Sequence, residues 1–271
     1  MNKPLVSIVL PSLRPIQLAE CLASIHRYTV GIDYEVVVIS PFNIDPHPNV
    51  VYVKEDKPEG VYRAVARGYE RAEGEYIIHI PDDCWVTPNW LTNMISFMKP
   101  HDDEIFIGSF RRFNVKEERV EQGHYGKLIA PFICIRRDKV YLVGSLMDCH
   151  YRSFWGDPDL SLRVWHNGGR VETCPDAWIY YPDRRVDKTY ESSYNNYFTR
   201  DKEAFISRWY PIFGRPVDTP LGHQQPLEPS VLPDSLPPEQ CAKLYFSLRR
   251  KDWKIVRETI TSEDSTDCVY S

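Results

Sequence analysis

The feature that most constrains this chain is an alternation of short, wholly apolar runs with segments of helical spacing across the first hundred residues. Leu5 to Leu10 (LVSIVL) is β-branched and ends at Pro11. Tyr34 to Ile39 (YEVVVI) ends at Ser40-Pro41, Asn49 to Val53 is a third short run, and Tyr76 to Ile80 (YIIHI) ends at Pro81. Runs of this length without polar alternation fit strands buried on both faces. Between them Leu18, Leu22 and Ile25 keep helical spacing, as do Val61, Val65, Gly68 and Ala72. A further helix over Leu91 to Met98 is entered at Thr87-Pro88. Strand and helix alternating in this way predict an α/β fold, a mostly parallel sheet with helices on both faces. Ligands of such sheets bind at the carboxyl ends of the strands. The residues to inspect are therefore Pro11-Ser12-Leu13-Arg14, Ser40-Pro41 and Pro81-Asp82-Asp83.

Composition removes several function classes. A chain of 271 residues with 42% hydrophobic and 26% charged residues is ordinary for a globular protein. The net charge of -5 offers no broad basic field for a nucleic-acid backbone. No apolar run approaches the roughly 20 residues of a spanning helix, so any membrane contact is expected to be peripheral. Seven scattered cysteines without a C-x-x-C pair suggest free thiols, a reducing cytosol and no zinc knuckle. Neither G-x-G-x-x-G nor G-x-x-x-x-G-K-[ST] is present, so phosphate is not held by a glycine loop.

Beyond residue 100 the pattern is mixed. Strand candidates lie at 104–110, 128–135, 170–173 and 177–181, a helix at Asp157 to Trp165, and an aromatic-rich helix over 188–210. Residues 1–100 are read as one half of a single domain and 101–214 as the other. Seven prolines between Pro216 and Pro238 suit an extended strap over 215–238. Residues 239–271 read as a helical extension; six basic and six acidic side chains leave it neutral, favouring a packing or homo-oligomer contact over a peripheral membrane one.

Two acidic spots carry the chemistry. Asp82-Asp83 follows a buried strand, where it is either a polar turn or a site for a hard divalent cation that prefers oxygen ligands. In Trp155-Gly156-Asp157-Pro158-Asp159, Asp157 before a proline suits a helix N-cap, and Asp159 can pair with Arg163 four residues on. The same carboxylate could equally face a cleft as a general base. His79, inside an apolar strand, reads as a core histidine.

Taken together these segments resemble the inverting family 2 glycosyltransferases of the GT-A fold. Val6-Ser7-Ile8-Val9-Leu10-Pro11-Ser12 is similar to the family's opening strand, and Glu35 to Ile39 to its second. Gly74-Glu75-Tyr76-Ile77-Ile78 leading to Pro81-Asp82-Asp83 and Val86-Thr87-Pro88-Asn89-Trp90-Leu91 resembles its acid-bearing block. Trp155 to Arg163 resembles its E-D-x-D-L-x-x-R helix. The resemblance spans roughly residues 5 to 181. It implies a nucleotide-sugar donor, UDP-sugar first, and a glycan, lipid-linked or other hydroxyl acceptor. Pro11, Ser12, Arg14, Ser40 and Arg63 would border the nucleotide, with Asp82 near the ribose. Asp83 would bind Mn²⁺ or Mg²⁺, Asp157 would be the general base, and Trp155 and Asp159 would meet the acceptor.

The chain departs from that pattern in four places. Ser40 stands where an acid usually reads the base, Pro81 where the first acid of D-x-D stands, and Gly156 where a glutamate precedes the base. Tyr181 replaces a histidine that often completes the metal shell. Two alternatives follow: a GT-A-like protein that binds nucleotide or glycan without turnover, or a nucleotidyltransferase on a related fold.

Overall fold

The computed structural model describes residues 3–114, 119–121, 129–181 and 188–213. The expected strap at 215–238 and the extension at 239–271, with the contacts assigned to it, lie outside the described residues.

Among the described residues nine strands form one sheet: β1 (Val6–Pro11), β2 (Tyr34–Ser40), β3 (Val50–Lys54), β4 (Tyr76–His79), β5 (Trp85–Val86), β6 (Phe106–Asn114), β7 (Arg119–Glu121), β8 (Ile133–Arg136) and β9 (Arg170–Tyr181). Their order is β3-β2-β1-β4-β8-β6-β9-β5, with β7 on β6. Strands β3, β2, β1 and β4 are parallel, while β8 runs antiparallel between β4 and β6. Strand β6 pairs parallel with β9, so most strands point their carboxyl ends to one edge. Both halves of the chain thus build a single sheet. The two expected strands at 170–173 and 177–181 are one, because β9 bulges between Thr173 and Trp178 opposite Ser109 and Arg111 of β6.

Alternation along each strand divides the core into two layers. Val9, Val37, Ile39 and Ile77 face α2 (Val61–Arg71), α5 (Gly156–His166) and α6 (Lys188–Phe213), where Trp209 and Phe205 are buried. Ile8, Leu10, Val36, Val38 and Ile78 face α1 (Pro15–Tyr28) and α3 (Trp90–Met98). A short helical turn, α4 (Arg137–Val140), follows β8. The sandwich leaves the carboxyl ends of β1, β4, β6 and β9 open at one rim. His79 is core, with Nδ1 at 3.2 Å from the Val9 carbonyl; burial lowers its pKa to about 4. Among the described residues no helix is long and apolar enough to cross a membrane. Cys21, Cys84, Cys134 and Cys174 are free and buried.

Candidate active site

At that rim lies a cavity of about 640 Å³. Its floor is the ends of two adjacent parallel strands: Pro11, Ser12 and Arg14 after β1, and Pro81, Asp82 and Asp83 after β4. Ser12 Oγ donates to Asp82 Oδ2 at 2.6 Å, and Arg14 Nε donates to the same oxygen at 3.2 Å while its Nη2 bonds Oδ1. Both oxygens of Asp82 are therefore in use. Arg14 Nη1 also lies 3.1 Å from Asp83 Oδ2. The other oxygen of Asp83, Oδ1, is buried and has no hydrogen-bond partner. Burial pushes the Asp83 carboxyl above its ordinary pKa, Arg14 opposes the rise and Asp82 adds to it. A buried, uncommitted carboxylate oxygen at a cleft floor fits a hard cation, with Asp83 as its protein ligand.

The second acidic spot is arranged differently from a cap. Helix α5 starts at Gly156, its N-cap position is Trp155, and no side chain caps it. Asp157 sits in the first turn and accepts a hydrogen bond from Tyr62 Oη at 2.8 Å. Desolvation lifts its pKa from 3.8 to about 6, against pulls from the Tyr62 hydroxyl, the helix backbone and Arg112. Asp157 is not among the residues that line the cavity. Its partner Tyr62 follows Gly60 and Val61, which do line it. The missing glutamate has a steric reason: a Cβ on Gly156 would lie 2.7 Å from the Tyr62 ring. Gly60, at φ +107, likewise approaches Arg152 so closely that a Cβ would meet its carbonyl oxygen at 2.4 Å. Trp155 has φ +72, and its indole is locked against Phe205 and Phe198, with centroids at 5.0 and 6.1 Å.

Four sequence expectations are corrected. Asp159 is fully buried and accepts from Arg163 Nε (2.8 Å), Tyr151 Oη (3.2 Å), Arg208 Nη1 (2.9 Å) and Trp209 Nε1 (2.9 Å). It holds α6 to α5 and meets no acceptor. Trp155 is buried and presents no face for stacking. Ser40 is fully buried and donates to the Phe42 carbonyl at 2.8 Å, inside its own loop. Arg63 pairs with Glu59 at 3.1 Å, away from the cavity lining. Polar or amphipathic residues beside a motif invite a ligand role, but burial has turned Asp159, Trp155 and Ser40 into packing groups, and Arg63 is held by Glu59.

Other lining residues were not singled out from sequence. Thr189, Ser192, Ser193 and Asn196 of α6 present one polar helix face to the cavity; their three- and four-residue spacing was the available signal. Arg112, at the end of β6, lies over the Phe132 ring at 5.1 Å and the Tyr181 ring at 5.8 Å, and all three line the cavity. Its charge draws down the Asp157 carboxyl and partly offsets the rise of the Cys84 thiol, which burial and, after it, Asp83 push up. One guanidinium thus stands in electrostatic reach of Asp157 and of the residue next to Asp83. Asp148, Cys149 and His150 also bring ligating atoms within 4.8 Å of one another. There Asp148 is already engaged by Arg208 at 2.7 Å and by His150 at 2.8 Å, so that cluster offers a metal little.

A mostly parallel mixed sheet with its cleft at the strand ends is an α/β fold of the kind that binds ligands there. Residues 14–154 match the family described as Glycosyl transferase family 2, more than half of the chain, and the protein belongs to that family. The amylovoran biosynthesis glycosyltransferase AmsE of Erwinia amylovora is 24% identical over 193 residues, 60% of this chain and 70% of the relative. A PGL/p-HBAD biosynthesis glycosyltransferase of Mycobacterium bovis is 30% identical over 115 residues, 38% of this chain and 44% of that protein. Among solved structures, GalNAc-T7 with UDP, GalNAc and Mn²⁺ superposes with a TM-score of 0.59 at 14% identity, covering 97% of this chain and 57% of the other. S. aureus TarS 1–349 with UDP-GlcNAc gives a TM-score of 0.59 at 14% identity, covering 98% and 77%. At such identity the structural likeness establishes the fold.

Proposed function

We propose that this glycosyltransferase moves a sugar from a nucleotide-sugar donor, a UDP-sugar first among candidates, to an acceptor hydroxyl with inversion at the anomeric carbon. The observation that carries the reading is the cavity floor with the uncommitted buried oxygen of Asp83, together with Asp157, whose raised carboxyl is bonded by Tyr62 next to the lining residues Gly60 and Val61. The UDP and UDP-GlcNAc named with the superposing structures support the donor class.

In this reading Ser12 and Arg14 fix Asp82 at the nucleotide side of the cleft. Asp83 would hold a divalent cation, Mn²⁺ or Mg²⁺, which when bound supplies positive charge to the donor diphosphate. The acceptor hydroxyl gives its proton to Asp157 as its oxygen forms the new bond to the anomeric carbon. The bond from that carbon to the diphosphate oxygen breaks, and its electron pair leaves with the nucleoside diphosphate. A carboxylate with a pKa of about 6 is ionised at neutral pH yet more basic than an ordinary aspartate, which suits this transfer. Tyr62 orients it through one oxygen. The hydroxyl-bearing face of α6 supports a polar acceptor such as a glycan.

A donor panel tests the proposal. UDP-, GDP- and dTDP-sugars are incubated with the full chain and Mn²⁺, and nucleotide release is followed by NMR. Release from one donor that is abolished in Asp83→Ala is the expected result. Tight nucleotide binding without turnover of any donor would instead favour the non-catalytic binding protein.

A further inference from the structure

The acids of the cavity are nearly all committed. Asp82 is engaged by Ser12 and Arg14, Asp83 gives one oxygen to Arg14, and Glu55 is paired with Arg67 at 2.7 Å. A divalent cation would find one uncommitted carboxylate oxygen on this floor, Asp83 Oδ1. A bare diphosphate needs more positive charge than that single ligand can anchor. Arg112 lines the same cavity and supplies such a charge. Arg112 comes from the carboxyl end of β6, paired in register with Ile179 of β9. Phe132 and Tyr181 meet edge to face at 6.1 Å and carry the guanidinium on their rings.

That support has chemical consequences. Guanidinium on aromatic faces gains from the ring quadrupole, and being planar and weakly hydrated it loses little on meeting an anion. Its donor edge matches two phosphate oxygens at once. Placed among low-dielectric rings, the charge is also less screened than a surface arginine.

We infer that Arg112 is a donor-binding residue: it grips the diphosphate directly, so that nucleoside diphosphates bind this enzyme without a divalent cation. The inference rests on the donor reading above and adds to it the residue that takes the leaving-group charge. Phe132 and Tyr181 act through Arg112 as positioning residues. Tyr181 is then not a lost metal ligand but one side of an arginine clamp, which exchanges part of the metal's task for a fixed cation.

The test is binding rather than turnover. The full chain is titrated with UDP in EDTA by calorimetry, and uridine binding is followed by ligand-observed NMR. The wild type should bind UDP at least about 10-fold more tightly than uridine without metal. Arg112→Met keeps an apolar stem over the rings; it should lose that advantage while uridine binding stays within about two-fold and the melting temperature within a few degrees. Arg112→Lys should fall between. UDP binding in EDTA unchanged by Arg112→Met overturns the inference, as does equal loss of UDP and uridine by a folded variant, which would mean that Arg112 only packs the wall. If the wild type binds neither UDP, GDP nor dTDP with or without Mn²⁺, the donor reading itself fails and this inference with it.

Discussion

Replacing Asp157 by asparagine should stabilise the protein while removing its activity, and the pH dependence of that gain separates the general-base reading from a capping one. The carboxyl is held at a pKa of about 6 against an ordinary 3.8, chiefly by desolvation. At roughly 1.36 kcal/mol per pH unit, keeping it ionised in the folded state costs about 3 kcal/mol above pH 6. Because the folded pKa is the higher one, the folded state binds the extra proton. The cost is absent below about pH 4, builds between pH 4 and 6, and is complete above that. Asparagine keeps the shape and still accepts from the Tyr62 hydroxyl, which lies 2.8 Å away, but its amide brings donors of its own, so about 1–3 kcal/mol should be recovered. At ~2–4 °C per kcal/mol for a chain of this size, the melting temperature at pH 7.5 should rise by about 2–12 °C, with little difference near pH 4. Differential scanning fluorimetry across that range measures it. Transfer, followed as nucleotide release, should fall by about 10²–10⁴. A variant that is less stable at pH 7.5, or one that keeps full activity, refutes the argument.

Two further variants probe the same neighbourhood. Tyr62→Phe removes the hydroxyl that lowers the Asp157 pKa; the acid limb of the kcat/KM profile should move up by about one pH unit, and an unmoved limb would uncouple Tyr62 from the base. Asp159→Ala leaves the buried Arg163 without its carboxylate and should cost about 3–5 kcal/mol, read as a large fall in melting temperature. A rise in acceptor KM at unchanged stability would return Asp159 to the acceptor.

The legible parts of the site were those set by local sequence. Apolar runs ending in proline located β1 and β4, and with them Ser12, Arg14, Asp82 and Asp83 on adjacent strand ends. Helix α5 was legible too, although its start moved to Gly156 and released Asp157 from capping. Illegible were the orientations of side chains on it. Nothing within Trp155 to Asp159 says that Asp159 will be buried beneath α6 by Arg208 and Trp209, about 50 positions on. Arg112 was hidden for the same reason: its significance comes from Phe132 and Tyr181, on other parts of the chain.

By itself the sequence determined the strand–helix alternation, because periodicity and chain-stopping residues act within a few positions. It therefore also determined which edge of the sheet carries acids. Only the tertiary structure decided which polar groups stay available for a ligand. A carboxylate takes its partners from distant segments or is left without them, and the desolvation that raises Asp83 and Asp157 arises only when those segments close over them.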